Sequence, residues 1–312
     1  MNVAVLCGGR SAEREVSLSS GRQVREALSR RGHAASAVDL DRETWNVLRD
    51  GGFDCVFVAL HGRLGEDGTV QGMLELLELP YTGSGVLASA LCIDKARANA
   101  VMHQAGLHVP EYLELDGRSY DGSVAPSVIE RLGERVVVKP MREGSTIGLT
   151  IARGEDAVAS GIVLAARYDR RVLCQRFVEG TEITIGVVAT PDIQVLPTLE
   201  IVSENPVYDY DAKYTAGKSH HLLPARIPAA ARDASAAAAR TAFEALGCEG
   251  MGRVDVIVAE DGEPWLLEVN TVPGLTELSL LPDAARAAGI SFEDFCDAQV
   301  RHAVARAGQR VP

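Results

Sequence analysis

The chain has 312 residues, 46% of them hydrophobic and 24% charged, enough for one large core or several smaller ones, and domain-size statistics favour two or three domains. Its 31 basic against 43 acidic residues give a formal net charge of -12, which argues against a surface built to recruit nucleic acid or anionic membrane; any anionic ligand must be held by a local cluster. No apolar run reaches membrane-spanning length, the N-terminus has no basic n-region, and Cys7, Cys55, Cys92, Cys174, Cys248 and Cys296 stand in apolar segments without a CxxC pair, so a cytoplasmic protein with buried, reduced thiols is expected.

Residues 2–7 form an apolar run, followed by Gly8-Gly9 and SAEREVSLSSGRQVREAL, where apolar positions recur at helical spacing; strand, turn and helix are predicted. VFVAL (56–60) predicts a buried strand, QGMLELLEL (71–79) a helix and Tyr81 the start of another short strand, so an α/β unit covers residues 1–93. The glycines of GSGVLA (83–88) fit a dinucleotide pattern, but no acidic residue stands about 20 positions further on, and a tight turn with close helix packing is expected instead.

Asp94-Lys95 opens the next helix. RVVVKP (135–140), the loop EGSTIG, LTIAR and RVLCQRFV predict a small second domain, residues 94–180, with a largely antiparallel sheet. ITIGVVAT, IQVLPTLEIV, GRVDVIVAED and PWLLEVN supply the strands of a third, residues 181–312. Inside it, residues 203–226 are polar and rich in turn formers; so long an irregular connection is uncommon unless functional, and it reads as an active-site lid. YTAGKSH, within that stretch, ends like a phosphate-binding loop, but Ala212 stands where the first glycine belongs. AAARDASAAAARTAFEAL (229–246) predicts an ordinary helix, because alanine is the strongest helix former.

Two groups of side chains suggest chemistry. Along a strand, side chains alternate, so Arg253 and Asp255 share one face, as do Glu268 and Asn270; three oxygen ligands and a cation converge if the two strands are neighbours. A carboxylate in an apolar strand needs a partner. Mg²⁺, which takes oxygen ligands and commonly one or two carboxylates beside substrate phosphates, would supply it, and a structural salt bridge from Arg253 would do so equally well. The second group starts at Lys139, which ends a run of valines before Pro140 and can project its ammonium into a cleft. Glu143-Gly144-Ser145-Thr146-Ile147-Gly148 follows, a glycine-flanked hydroxyl loop whose N–H groups suit phosphates, although a plain hairpin turn would look similar. Phe177 and Val178 offer an apolar and backbone edge for an adenine, and Glu182 a carboxylate for ribose hydroxyls; alone, each is more often core or surface.

Taken together, SAEREVS, ALHGRLGEDGTVQGMLELLELPYTGSG, DK, VVVKPMREGSTIG, YDYDAKY, GRVDV and LLEVNTVPGLTELSL resemble the D-alanine–D-alanine ligases of the ATP-grasp superfamily, in the family's order across nearly the whole chain. The resemblance implies an α/β (α+β) chain of three domains, an ATP-grasp fold with an N-terminal Rossmann-like domain. It implies that two D-alanines are joined at the expense of ATP through D-alanyl phosphate, for peptidoglycan precursors. The nucleotide is then expected between the second and third domains, with Lys95 and Lys139 on its phosphates, Leu267 against the adenine, and Asp255, Glu268 and Asn270 holding two magnesium or manganese ions. Glu13 resembles the residue that receives the first amino group, linked to Ser145 and Tyr214. Arg253 and the backbone of Gly274 look like the oxyanion-stabilising pair, Ser279 and Leu280 like the carboxylate clamp of the second D-alanine, and Lys213 like a lid contact to phosphate. His61 would lie beside the first substrate, or simply close a strand as a hydrogen-bonded histidine. A homodimer is the expected assembly.

One departure stands out. Where the family usually has a glutamate that meets the adenine amino group, this chain has Gln175, which can still accept that bond but has lost the charge; the lysine that often follows is Arg176. The rival readings are a ligase with another acceptor, such as D-lactate, D-serine or another amine, and a catalytically silent nucleotide-binding regulator.

Overall fold

The computed structural model describes residues 1–118, 123–203, 219–276 and 279–308. Its three sheets follow one another along the chain. In the first, β1 (Asn2–Cys7) is buried beyond its first residue and lies between β2 (Ala34–Asp39) and β3 (Cys55–Val58), both parallel to it. The chain leaves β1 through Gly8 and Gly9, both at φ values open to glycine, and enters α1 (Arg14–Arg30). No apolar alternation predicts β2, since AASAVD is a mostly exposed edge strand; α2 (Thr44–Asp50) follows it.

Two boundaries in this region differ from expectation. α3 covers Thr69–Leu76 rather than 71–79, because Gly68 at φ +87° starts it and Glu78 at φ +54° turns the chain ahead of Pro80. Tyr81 makes a single parallel bridge to Val56 instead of a strand, and Gly83 at φ +82° leads into α4 (Val86–Ile93). The backbone of Gly250 approaches Gly83 so closely that a Cβ on Gly250 would stand 3.0 Å from Gly83 N, a tight contact of the turn with the start of a strand rather than with a helix.

α5 (Lys95–Gln104) is capped by Asp94, whose carboxylate accepts from Arg97 N–H. The second sheet is antiparallel throughout, in the order β4 (Tyr112–Asp116), β7 (Arg171–Arg176), β5 (Arg135–Pro140), β6 (Thr150–Arg153). α6 (Ala125–Leu132) and α7 (Glu155–Ala165) share its core. The third sheet, also antiparallel, contains β8 (Thr181–Ala189), β9 (Ile193–Val195), β10 (Leu199–Ser203), β11 (Ser219–Leu222), β12 (Gly250–Val258) and β13 (Pro264–Asn270). The alanine-rich stretch is a helix, α8 (Ala229–Ala245), that buries its small face against this sheet. α9 (Leu280–Ala287) and α10 (Phe292–Ala307) close the chain.

The stretch 203–226 is not irregular throughout. Its end pairs with the free edge of β10, from Ser203↔Ser219 to Glu200↔Leu222, because an edge strand offers unpaired backbone groups. Residues 204–218, which include Lys213 and Tyr214, lie outside the described residues.

Cores do not follow chain order. Phe295 and Val300 of α10 pack with Val3, Val5 and Phe57, so the last helix covers one face of the first sheet. Cys92, Ala98 and Met102 of α4 and α5 join the core of the third sheet. All six cysteines are buried and free.

Candidate active site

A cleft opens between the second and third sheets. Lys139 sits at its floor, next to last in β5, and burial lowers its ammonium to a pKa of about 8. Lys95, the first residue of α5, reaches the same cleft, where its Nζ donates to the Glu143 carbonyl at 2.7 Å and lies 3.3 Å from Glu268 Oε2. Arg171 holds the helix start in place by pairing with Asp94.

Across the cleft, β12 and β13 are neighbours with Asp255 opposite Glu268 and Arg253 opposite Asn270. The convergence expected from alternation is present. So is the salt bridge: Arg253 Nε and Nη2 donate to the two oxygens of Asp255 at 2.8 and 2.7 Å, and Thr184 Oγ1 donates to Oδ1 at 2.6 Å. Asn270 Oδ1 accepts from Val272 N–H at 3.0 Å. The pairing of β12 with β13 shifts between Asp255 and Val256, which leaves Leu267 without an opposite residue. In a regular strand Leu267 and Glu268 would face opposite sides; the bulge lets both line the cleft. Among the described residues no three His, Cys, Asp or Glu side chains gather into a metal cage. Two opposed carboxylates and an amide oxygen near the ammonium groups of Lys95 and Lys139 still fit magnesium, which completes its shell with water and phosphate rather than protein.

Gln175, Phe177, Val178 and Glu182 line the same cleft with Leu267. The Arg135 guanidinium carbon lies 3.5 Å from the centre of the Phe177 ring.

The loop after β5 links this cleft to the first sheet. Ser145 and Thr146 take positive φ values, +49° and +63°, that are uncommon outside glycine, so the loop holds a conformation with a cost. Ser145 Oγ donates to Glu13 Oε1, joining it to the start of α1. Glu13 lies in a slot whose walls are backbone: a Cβ on Gly62 or Gly144 would stand 2.9 or 3.2 Å from its Oε2. Below it, His61 Nδ1 is 3.1 Å from the Val272 carbonyl and 3.5 Å from Glu66 Oε1, and Nε2 is 3.1 Å from Ser20 Oγ. Burial would strip the His61 proton, but the hydrogen bond and charge of Glu66 outweigh it and its pKa is raised; burial raises Glu66 as well. Ser20 Oγ also accepts from Leu275 N–H, at 3.3 Å, so the chain after β13 is stitched to α1.

Ser279 is the N-cap residue of α9 and Leu280 its first residue, where backbone N–H groups have no partner inside the helix. Ser279 Oγ turns away from that role: it accepts from Thr276 N–H at 3.1 Å and lies where a Cβ on Gly274 would stand, at 2.7 Å.

Of the expected residues, Lys95, Lys139, Ser145, Gln175, Phe177, Val178, Glu182, Asp255, Leu267 and Glu268 line one cleft, and Asn270 lines a smaller pocket next to it. Glu13 meets that cleft through Ser145. Two residues have no role assigned from sequence, Glu66 and Thr184, and Glu143, named there only as part of the glycine loop, offers its backbone carbonyl to Lys95. Thr184 carried a signal, since Glu182 and Thr184 interrupt the apolar face of β8 at a spacing of two.

Residues 101–301 match the family described as D-ala D-ala ligase C-terminus, and residues 47–84 its N-terminus. The D-alanine–D-alanine ligase of Desulforudis audaxviator is 48% identical over 305 residues, covering 97% of this chain and 99% of its own. Among solved structures, the Bacillus anthracis D-alanine–D-alanine ligase superposes with a TM-score of 0.87 at 31% identity over 99% of both chains, and with 0.86 when complexed with ATP. VanG D-Ala:D-Ser ligase from Enterococcus faecalis has a TM-score of 0.83 at 30% identity, over 97% of this chain and all of its own. The chain belongs to the D-alanine–D-alanine ligase family, and its mixed helix-and-sheet architecture is the ATP-grasp fold of that family.

Proposed function

We propose that this chain uses ATP to join two D-alanines, through D-alanyl phosphate, into the dipeptide of peptidoglycan precursors. The observation that carries this reading is the Ser145–Glu13 hydrogen bond, which sets a carboxylate suited to an ammonium beside a cleft suited to phosphates. A carboxylate acylates poorly; phosphorylation makes it reactive, and the second amine then displaces phosphate. The protein's task is placement and charge.

Lys139 and Lys95 hold phosphate oxygens, Leu267, Phe177 and Val178 bracket the adenine, and Glu182 takes the ribose. Asp255, Glu268 and Asn270 would hold two magnesium (or manganese) ions, which when bound neutralise charge on the phosphates. Glu13 receives the first ammonium, with His61 beneath it. Arg253 and the Gly274 N–H face the oxyanion, and the N-terminus of α9 at Ser279 and Leu280 receives the second carboxylate, as helix dipoles favour. The glycine loop and the 203–226 connection, with Lys213 and Tyr214, exclude water from the acyl phosphate. Residues 1–93, 94–180 and 181–312 act as the three bodies that close on the substrates. ATP as co-substrate suits a cytoplasmic location, and no helix among the described residues is long and apolar enough to cross a membrane. A homodimer through α3 and α4 would cover Leu76 and Leu87, which are 77% and 72% exposed; sedimentation of Leu76→Glu as a monomer, with wild type as a dimer, is the expected result, and a monomeric wild type would dismiss it.

The test is D-alanine-dependent phosphate release with ATP, with products separated by chromatography. D-Alanyl-D-alanine is expected in excess over mixed products when D-serine or D-lactate competes. Phosphate release indifferent to D-alanine would overturn the reading.

A further inference from the structure

Gln175 lies on β7, between Tyr112 of β4 and Val137 of β5, and is 1% exposed at the wall of the cleft. Its Nε2 is buried with no hydrogen-bond partner. A buried amide donor left unpaired is costly, and a molecule in the cleft whose wall Gln175 forms relieves that cost once the amide turns toward it. Of the two residues opposite it in the ladder, Val137 has no side-chain acceptor to offer and the Tyr112 hydroxyl is engaged with the Ala96 carbonyl.

The chemistry of the group says what the partner can be. A carboxylate here could only accept, and would demand an amino group on the base. An amide has a donor and an acceptor on one rotatable group, and turning it exchanges them. We infer that Gln175 lets the cleft read either an amino group or a carbonyl at the 6-position of a purine, so that inosine triphosphate serves beside ATP. This rests on the reading of the cleft as the nucleotide site. The transferred phosphate lies at the far end of the nucleotide, and the bonds made and broken are those of the ATP reaction.

Phosphate release with D-alanine is to be measured for ATP and inosine triphosphate, in wild type and Gln175→Glu, as kcat/KM for each nucleotide. Wild type is expected to use inosine triphosphate within about tenfold of ATP, and the variant's ratio to fall by a further tenfold or more, the scale of one unpaired buried group. A smaller fall overturns the assignment. Should the buried carboxylate impair folding, Gln175→Met removes both donor and acceptor at similar size; it is expected to weaken both nucleotides alike, and unchanged values for both would overturn the assignment too. Equilibrium dialysis of the two nucleotides gives the same ratio without turnover, so a chain that binds both but releases no phosphate with D-alanine would refute the ligase reading and leave this one standing.

Discussion

The two halves of the site are built differently. On the side proposed for the nucleotide, register fixes Lys139 and Gln175 within the second sheet and Asp255 and Glu268 within the third. On the side proposed for the amino acids, Glu13, Ser145, Gly274 and Ser279 come from chain that precedes, follows or caps regular elements, and they meet through side-chain bonds and close glycine contacts. A strand-built half is preorganised. A loop-built half is assembled by closure, so its residues should govern how substrates are captured more than how charge is stabilised.

The largest expected effect falls on the strand-built half. Glu268 faces Asp255 across the ladder and pairs with Lys95, so Glu268→Gln keeps the shape and removes the charge. Turnover at saturating magnesium is expected to drop by about 10² or more, with the melting temperature nearly unchanged. Near-normal turnover would remove Glu268 from the charge-stabilising set and erase the contrast between the halves.

A smaller effect is expected from the loops. Ser145→Ala keeps the backbone problem of a positive φ but withdraws the donor from Glu13. The expected loss is about tenfold in kcat/KM for D-alanine, the scale of one hydrogen bond to a charged group, with the KM for ATP little changed. If the ATP constant moves and the D-alanine constant does not, Ser145 serves the phosphates, and the link between the halves has been misread.

This division also explains what the sequence could disclose. Alternation in GRVDVIV and LLEVN was enough to pair Arg253 with Asp255 and Glu268 with Asn270 on a face each, because a strand has a period of two, while the ladder between the two strands brings the pairs together. Nothing local in SAEREVS or EGSTIG says that Glu13 and Ser145 touch, since they are 132 residues apart and meet through tertiary structure; only the family resemblance pointed there. β2 was illegible for a related reason. An exposed edge strand carries little apolar pattern, and its place is set by β1. Likewise, chain order suggested self-contained segments, yet α10 returns to cover the first sheet, a long-range packing choice that no window of sequence reports.

The smallest effect tests the bulge in β13, where strand geometry itself departs from its period. Leu266 is fully buried in the core of the third sheet, while Leu267, its neighbour, lines the cleft beside Glu268. Had the strand been regular, Leu267 would face away from Glu268, and Leu266 would share its face. The two leucines should therefore separate stability from binding. Leu266→Ala leaves a core cavity and is expected to cost about 2 to 5 kcal/mol of folding stability. Leu267→Ala removes only apolar surface next to the bound base, so the KM for ATP should rise by about fivefold, roughly 1 kcal/mol, while the denaturant midpoint stays close to wild type. Its preference between ATP and inosine triphosphate should not change, because a leucine meets the face of a purine and not its hydrogen-bonding edge. If Leu267→Ala instead lowers stability as much as Leu266→Ala and leaves the ATP constant alone, the bulge does not turn Leu267 into the cleft, and the adenine must be bracketed by Phe177 and Val178 alone.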